Sequence, residues 1–160
     1  MGVLKSGAFE DNENEGYRGE GIPRIQKRIA EGMLETYKPD LMLLMVGSND
    51  MWVGLKNRVP IEDDKARFWV GELDKILEEI TRRAPGCRVI VAKPATPTNS
   101  PRPLALYRDG IDGLVAARQA RGQRISTVDM QGLANDGTHY KEDGYRGMAR
   151  RWFDEIVRVK

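Results

Sequence analysis

The chain has 160 residues, of which 40% are hydrophobic and 31% are charged, so it has enough apolar side chains for the core of a single domain over 1–160. The 26 Lys and Arg residues nearly balance the 24 Asp and Glu residues, and this scattered net charge of +2 argues against nucleic-acid binding. One cysteine and one histidine cannot form a zinc site, so we expect no metal. The longest apolar run, 41–46, is far shorter than the ~20 residues that cross a bilayer, so we expect no membrane partner.

The chain alternates between predicted helices and strands. Pro23 suits a first helical turn, and Ile22, Ile25, Ile29 and Met33 recur at helical spacing, which predicts an amphipathic helix from Ile22 to Tyr37. Residues 41–46 are all apolar and predict a strand that is covered on both faces. The remaining predicted elements are a helix over 61–84, a strand over 87–93, a loop rich in Pro, Thr and Ser over 94–103, a helix over 104–120, a strand over 125–130 and a helix over 142–157. This order predicts an α/β fold in three layers, with a mostly parallel sheet between helices on both faces.

Three polar segments each follow a predicted strand or apolar run. "GSND" at 47–50 follows the first all-apolar strand, "NDGTHY" at 135–140 follows the last strand, and "NEGYRG" at 14–19 follows the short apolar start "MGVL". Loops at the carboxyl ends of parallel strands converge over one crevice, so we expect the three segments to share a site. The sequence has no GxGxxG motif after a strand and no phosphate-cradling lysine motif, so we expect no cofactor.

His139 is the only histidine, and it follows Asp136 by three residues. One interpretation is a base and its orienting group, because a carboxylate that accepts a hydrogen bond from one ring nitrogen leaves the other nitrogen free to take a proton. The alternative is the start of a helix, where Asp136 or Thr138 caps exposed amides and His139 is solvated. The spacing leaves both interpretations open.

Asn49 and Gly19 allow a similar pair of interpretations. The Asn49 amide and a backbone N–H of the glycine segment could donate to a developing oxyanion, a role that is worth about 3 kcal/mol in enzymes where it has been tested. Alternatively, Gly47 to Asp50 form an ordinary Gly-Asx turn at a strand end, and Gly16 and Gly19 are turn glycines.

Taken in order, the three segments resemble blocks of the SGNH hydrolase superfamily, the GDSL-type esterases and lipases. "LLMVGSND" is similar to the GxND block of that family, "DGTHYKEDGYRGMA" to its DxxH block before the last helix, and "DNENEGYRGEGI" less specifically to its glycine block. The resemblance implies that His139 is the general base, Asp136 its orienting carboxylate, and Asn49 with the Gly19 backbone amide the oxyanion hole. It also implies hydrolysis of a small ester by acyl transfer to a serine, without a metal or cofactor. Because no apolar lid segment is evident in the sequence, we expect the ester to carry a short acyl or acetyl group.

The GDS block that carries the nucleophilic serine in that family has no counterpart, because no GDS occurs between Met1 and Lys160. The chain has four serines, of which Ser6 and Ser48 are the weak candidates for a nucleophile, while Ser100 falls in the proline-rich loop and Ser126 within a strand. A second hypothesis is therefore a non-catalytic module of the same fold that binds a small ester or a carbohydrate. A third is a flavodoxin-like ligand domain, which flavin absorbance would reveal.

The family has a flavodoxin-like strand order, 2-1-3-4-5, in which the first strand is central. The resemblance therefore predicts that this chain is amino-terminally truncated, with its first strand missing or replaced. Because buried backbone groups do not stay unpaired, we expect "MGVLK", a strand from another copy in a homo-oligomer, or a further part of a longer protein to fill the gap. No signal peptide is recognised, and the localisation stays open.

Overall fold

The computed structural model describes residues 19–51, 63–96, 102–137 and 139–159. The helices in these ranges are α1 (Ile22–Ala30), α2 (Met33–Tyr37), α3 (Asp63–Arg83), α4 (Arg102–Gln119) and α5 (Glu142–Arg158), and the strands are β1 (Leu41–Leu44), β2 (Arg88–Lys93) and β3 (Ile125–Asp129). Residues 48–51 are also helical, and residues 45–47 connect them to β1. The apolar start "MGVL", residues 14–18 and Ser6 lie outside the described residues.

The three strands form one parallel sheet in the order β1-β2-β3. Leu44 of β1 lies opposite Val91 of β2, and Val91 lies opposite Thr127 of β3. Parallel neighbours need a crossover, and α3 and α4 supply the two connections along the chain. The predicted α/β fold with a parallel sheet is confirmed.

Apolar side chains pack against both faces of the sheet. The larger cluster joins α1 to α4 with one face of the sheet, and its buried members include Ile22, Ile29, Leu34, Leu73, Ile76, Leu104, Ile111, Val89 and Val91. The smaller cluster contains Ile90, Ala92, Val128, Met130 and Leu133, and partly buried side chains such as Trp152 and Ile156 of α5 pack against it. Alternate residues of β2 belong to different clusters, as expected when a strand is buried on both sides. The helices therefore lie in two layers with the sheet between them.

Two details of the sequence prediction are wrong. The helix expected from Ile22 to Tyr37 is two helices, because Gly32 adopts a left-handed conformation with φ of 99° after α1 ends at Ala30. The first strand is not covered on both faces within the described residues, since Leu43 is 43% exposed and Met45 is 39% exposed. Leu43 is paired in register with Ile90 and points to the same side of the sheet. Leu41 of β1 and side chains of α5 such as Trp152 pack against the cluster on that side of the sheet, and Leu43 is not among its members.

A groove of about 260 Å³ lies beside β1. Its walls are apolar side chains of α1, α2 and 39–46: Ile25, Met33, Leu34, Tyr37, Pro39, Leu41, Met42, Leu43, Leu44, Met45 and Val46. Among the described residues, β1 pairs only with β2, so its other edge faces this groove. The strand exchange or homo-oligomer expected from the sequence would cover this edge, and it stays a prediction.

Candidate active site

The polar segments described by the structure lie where the three strands end, which we call the carboxyl edge of the sheet. Because the three strands are parallel, their carboxyl ends point the same way. Asn49 follows β1 at this edge, and Asp136 and His139 follow β3, with β2 between them. This edge is where open parallel sheets place their sites.

Asn49 contacts the glycine segment directly. Its side-chain nitrogen Nδ2 donates a hydrogen bond of 2.8 Å to the carbonyl oxygen of Glu20. Gly19, the residue before Glu20, has a φ of 74°, and the Glu20 carboxylate binds Arg28 at 2.8 and 3.0 Å. The strand-end amide therefore contacts the residue that directly follows Gly19, whose backbone N–H is the predicted second donor. Since a side-chain amide carries two N–H bonds, Asn49 keeps a second donor beyond the one used on Glu20.

Asp50 contacts the same segment one residue further along. Its Oδ2 accepts a hydrogen bond of 3.1 Å from the backbone N–H of Ile22, the first residue of α1. Burial raises the pKa of the Asp50 carboxyl, and the hydrogen bond from Ile22 only partly offsets this effect. No sequence motif predicts a separate role for Asp50.

The start of the Asn49 segment is attached to α4. The fully buried Tyr107 donates a hydrogen bond of 3.1 Å from its hydroxyl to the carbonyl oxygen of Val46. Burial raises the pKa of Tyr107, and the charge of Asp50 raises it further. Tyr107 therefore stays protonated and acts as a donor, which fixes the end of β1 relative to the helix layer.

Asp136 and His139 are in contact through the main chain. Asp136 Oδ1 accepts a hydrogen bond of 2.7 Å from the backbone N–H of His139, and the Asp136 N–H donates to the His139 carbonyl oxygen at 3.0 Å. The side chain of His139 is exposed. In the alternative interpretation Asp136 or Thr138 caps the start of a helix, but Asp136 caps a turn that precedes α5, and Thr138 lies outside the described residues.

The loop that carries His139 is attached to β2. The hydroxyl of Tyr140 accepts a hydrogen bond of 3.1 Å from the backbone N–H of Ala95, and burial raises the pKa of Tyr140. Asn135 and Tyr140 form an antiparallel bridge that closes the loop. Gly144 of α5 packs on the same loop: a Cβ at this position would lie 3.1 Å from the carbonyl carbon of Ala134 and closer still to its oxygen.

A polar network joins the ends of β2 and β3 beneath this loop. Arg108 of α4 binds both carboxylate oxygens of Asp129 at 2.8 and 2.9 Å, and it also contacts the Pro94 carbonyl oxygen. Arg151 of α5 donates to the carbonyl oxygens of Asp129 and Gln131 at 2.6 and 2.7 Å. Burial opposes ionisation of Asp129, but hydrogen bonds from Arg108 and the Gln131 amide and the charge of Arg108 outweigh it, so the pKa of Asp129 is lowered. The sequence does not predict this network, because Arg108, Asp129 and Arg151 are far apart in the chain and belong to no recognisable motif.

The serines differ in their positions. Ser48 is half-buried at the start of the helical residues next to Asn49, and Ser126 is buried within β3. Ser6 and Ser100 lie outside the described residues.

Within 19–51, 63–96, 102–137 and 139–159, no group of three or more His, Cys, Asp or Glu side chains could hold a metal ion. None of the helices in these ranges is both long enough and apolar enough to span a bilayer.

Comparisons with known proteins agree with this architecture. A carbohydrate esterase family 3 protein from Talaromyces cellulolyticus superposes with a TM-score of 0.80 at 21% identity, over 99% of this chain and 79% of that chain. The family 3 carbohydrate esterase of Clostridium thermocellum gives a TM-score of 0.77 at 23% identity, over 99% and 78% of the two chains. A mutant acetyl esterase solved with an acetate ion gives 0.80 at 21% identity, over 99% and 79%. No match was found among curated protein sequences.

The sequence itself matches the profile of the GDSL-like lipase/acylhydrolase family over residues 4–147, which is most of the chain. This match and the similar esterase structures confirm the resemblance stated from the sequence and support a hydrolase in the broad sense. The chain therefore belongs to the GDSL-like lipase/acylhydrolase family.

Proposed function

We propose that this protein is an SGNH-type ester hydrolase that acts on short-chain acyl or acetyl esters. The observation that carries the proposal is the 2.8 Å hydrogen bond from Asn49 to Glu20, because it joins the strand-end amide to the Gly19 segment at the edge that also holds His139. The similar structures described as carbohydrate esterases and an acetyl esterase support an acetylated sugar as one substrate to test.

In the proposed reaction a serine hydroxyl attacks the ester carbonyl and forms a bond to the acyl carbon. His139 takes the serine proton as general base and then gives it to the departing alcohol, with Asp136 as its orienting carboxylate. The second N–H of Asn49 and the backbone N–H of Gly19 donate to the negative oxygen of the tetrahedral intermediate. Water then attacks the acyl-enzyme, His139 again moves the proton, and the carboxylic acid leaves.

The test of the base is hydrolysis of p-nitrophenyl acetate by the wild type, His139→Ala and Lys141→Ala. Lys141 is an exposed neighbour of the same loop and forms no side-chain cap on α5, so its replacement is the matched control. We expect His139→Ala to lose at least ~10²-fold in kcat, a typical contribution of general-base catalysis, and Lys141→Ala to keep its rate. Equal rates in the wild type and His139→Ala would remove the base assignment.

The nucleophile needs its own experiment, since neither Ser6 nor Ser48 lies in a GDS motif. Mass spectrometry after treatment with a fluorophosphonate probe would name the labelled serine. The absence of GDS favours a second candidate function, a non-catalytic module that binds a small ester or carbohydrate. That candidate predicts no hydrolysis above buffer and no labelled serine, together with saturable binding of an acetylated xylooligosaccharide.

A further inference from the structure

Two consecutive side chains hold one short backbone segment at the sheet edge. Asn49 donates to the carbonyl oxygen of Glu20 at 2.8 Å, and Asp50 accepts from the backbone N–H of Ile22 at 3.1 Å. The segment between these contacts is Gly21, and Gly19 precedes it. Asn49 and Asp50 belong to one helical segment, residues 48–51. The two hydrogen bonds therefore fix this helical segment at two points relative to residues 19–22.

Gly21 is part of the same arrangement. A Cβ on Gly21 would lie 2.8 Å from Cγ of Asp50 and closer still to Oδ1, which is inside the distance that real side chains tolerate. The backbone at Gly21 is extended, with φ of −109° and ψ of −174°, so the glycine is not needed for its dihedral angles. It is needed because the Asp50 carboxylate occupies the space of a side chain.

Asp50 also supplies a side-chain acceptor to the first turn of α1. Gly21 is the N-cap of α1 and offers no side-chain hydrogen bond, so the acceptor for the first helical amide comes from Asp50, 28 positions along the chain. A local serine or aspartate at position 21 would have its Cβ in the space of the Asp50 carboxylate, and a local cap would not connect the helix to Asn49. The remote cap therefore links the geometry of α1 to the geometry of the strand-end amide.

We propose that Asp50, packed on Gly21, is a positioning residue that holds the Gly19 backbone amide and the Asn49 side-chain amide in one fixed arrangement as the two donors of the oxyanion hole. This inference rests on the proposed function, and it adds a residue that acts through the donors without touching the substrate. It also gives the fourth residue of "GSND" a role distinct from that of the third.

The test compares Asp50→Ala, Asp50→Asn, and Ile80→Val as a control. Ile80 is fully buried near the end of α3 and lies away from the carboxyl edge of the sheet, so its truncation lowers stability without touching the turn. We expect Asp50→Ala to lower kcat for p-nitrophenyl acetate by about 10- to 100-fold, the scale of a displaced catalytic group, with little change in KM. Asp50→Asn keeps an oxygen that can accept from Ile22 and should restore most of kcat.

A double-mutant cycle tests the packing on Gly21. Gly21→Ala alone should lower kcat because its Cβ displaces the carboxylate. In the Asp50→Ala background the same change should have little further effect, because the obstructing group is gone. Additive losses from the two changes would contradict the proposed contact.

A measurement that needs no turnover separates this inference from the proposed function. In ¹H–¹⁵N spectra, the Gly19 backbone amide and the Asn49 side-chain amide should shift in Asp50→Ala and stay in place in Ile80→Val. If the wild type hydrolyses no ester, the proposed function fails, while the shifts still test the positioning. If Asp50→Ala moves neither amide, or loses melting temperature with kcat unchanged as Ile80→Val does, Asp50 is a structural cap only and the inference is overturned.

Discussion

Gly144 offers a direct test of how tightly α5 packs on the loop that carries His139. In Gly144→Ala the new Cβ would lie 3.1 Å from the carbonyl carbon of Ala134 and closer to its oxygen. The obstructing group is backbone, so a side chain cannot simply rotate away, and either α5 or the loop must move. Overpacking of this kind destabilises proteins by about 1–3 kcal/mol.

That range converts into a measurable change in melting temperature. At ~2.1 cal/mol/K per residue, an unfolding entropy of about 0.34 kcal/mol/K applies to 160 residues, so Gly144→Ala should melt about 3–9 °C below the wild type. Differential scanning calorimetry or far-UV circular dichroism would measure the shift. Because the displaced loop carries His139, esterase activity at 25 °C should fall as well.

Gly113→Ala is the matched control. Gly113 lies within α4, is exposed, and would place a Cβ with nothing inside 4 Å. Replacing an unhindered helical glycine by alanine raises the free energy of unfolding by about 0.5–1 kcal/mol, so this variant should melt slightly above the wild type. If Gly144→Ala melted at or above the wild type while Gly113→Ala behaved as expected, the close approach of α5 to Ala134 would be refuted.

Three further tests, which use four substitutions, address other parts of the structure. Tyr140→Phe removes the acceptor for the Ala95 N–H and should cost about 0.5–1.5 kcal/mol in urea unfolding, with a loss of esterase activity; unchanged values for both would show that this hydrogen bond does not hold the loop. Burial raises the pKa of Asp50 in the folded state above its unfolded value of 3.8, so protonation of this carboxyl stabilises the folded wild type at low pH and the stabilisation is lost as the pH rises. Asparagine stays neutral, so the melting temperature of Asp50→Asn minus that of the wild type should increase from about pH 4 to pH 7. A constant difference would contradict the raised pKa of Asp50. Ile90→Ala should cost about 2–5 kcal/mol because Ile90 is fully buried, whereas Leu43→Ala should cost clearly less because Leu43 is 43% exposed; equal losses would mean that Leu43 is covered in solution.

The fold was predictable where local pattern and tertiary burial agree. β2 is apolar on consecutive residues and lies in the middle of the described sheet, so its sequence and its environment give the same answer. Gly32 is a local signal that the first helix divides, but the apolar spacing of Ile25, Ile29 and Met33 continues across it and predicts one helix. The exposure of Leu43 could not be predicted, because it depends on which side chains of other elements pack over β1, and sequence spacing does not encode that packing.

The candidate site was predictable only in part. Motif resemblance selected Asn49 and His139, and the parallel sheet places both at one edge. The contacts that fix them join residues far apart in sequence: Asp50 with Ile22 over 28 positions, and Tyr140 with Ala95 over 45 positions. Such contacts depend on the packed arrangement of strands and helices and have no local sequence signature.

The two faces of the sheet are unequal, and this inequality bears on how the protein would lose activity on heating. Four helices share the larger cluster, whereas α5 is the only described helix that packs on the five buried residues of the smaller one. Regions with fewer buried apolar contacts open at lower free energy, so α5 should detach before the rest of the molecule melts. The loop with His139 directly precedes α5 and would lose its support in the same step. Inactivation should therefore precede global denaturation, and cooling should restore turnover as long as only α5 has come away.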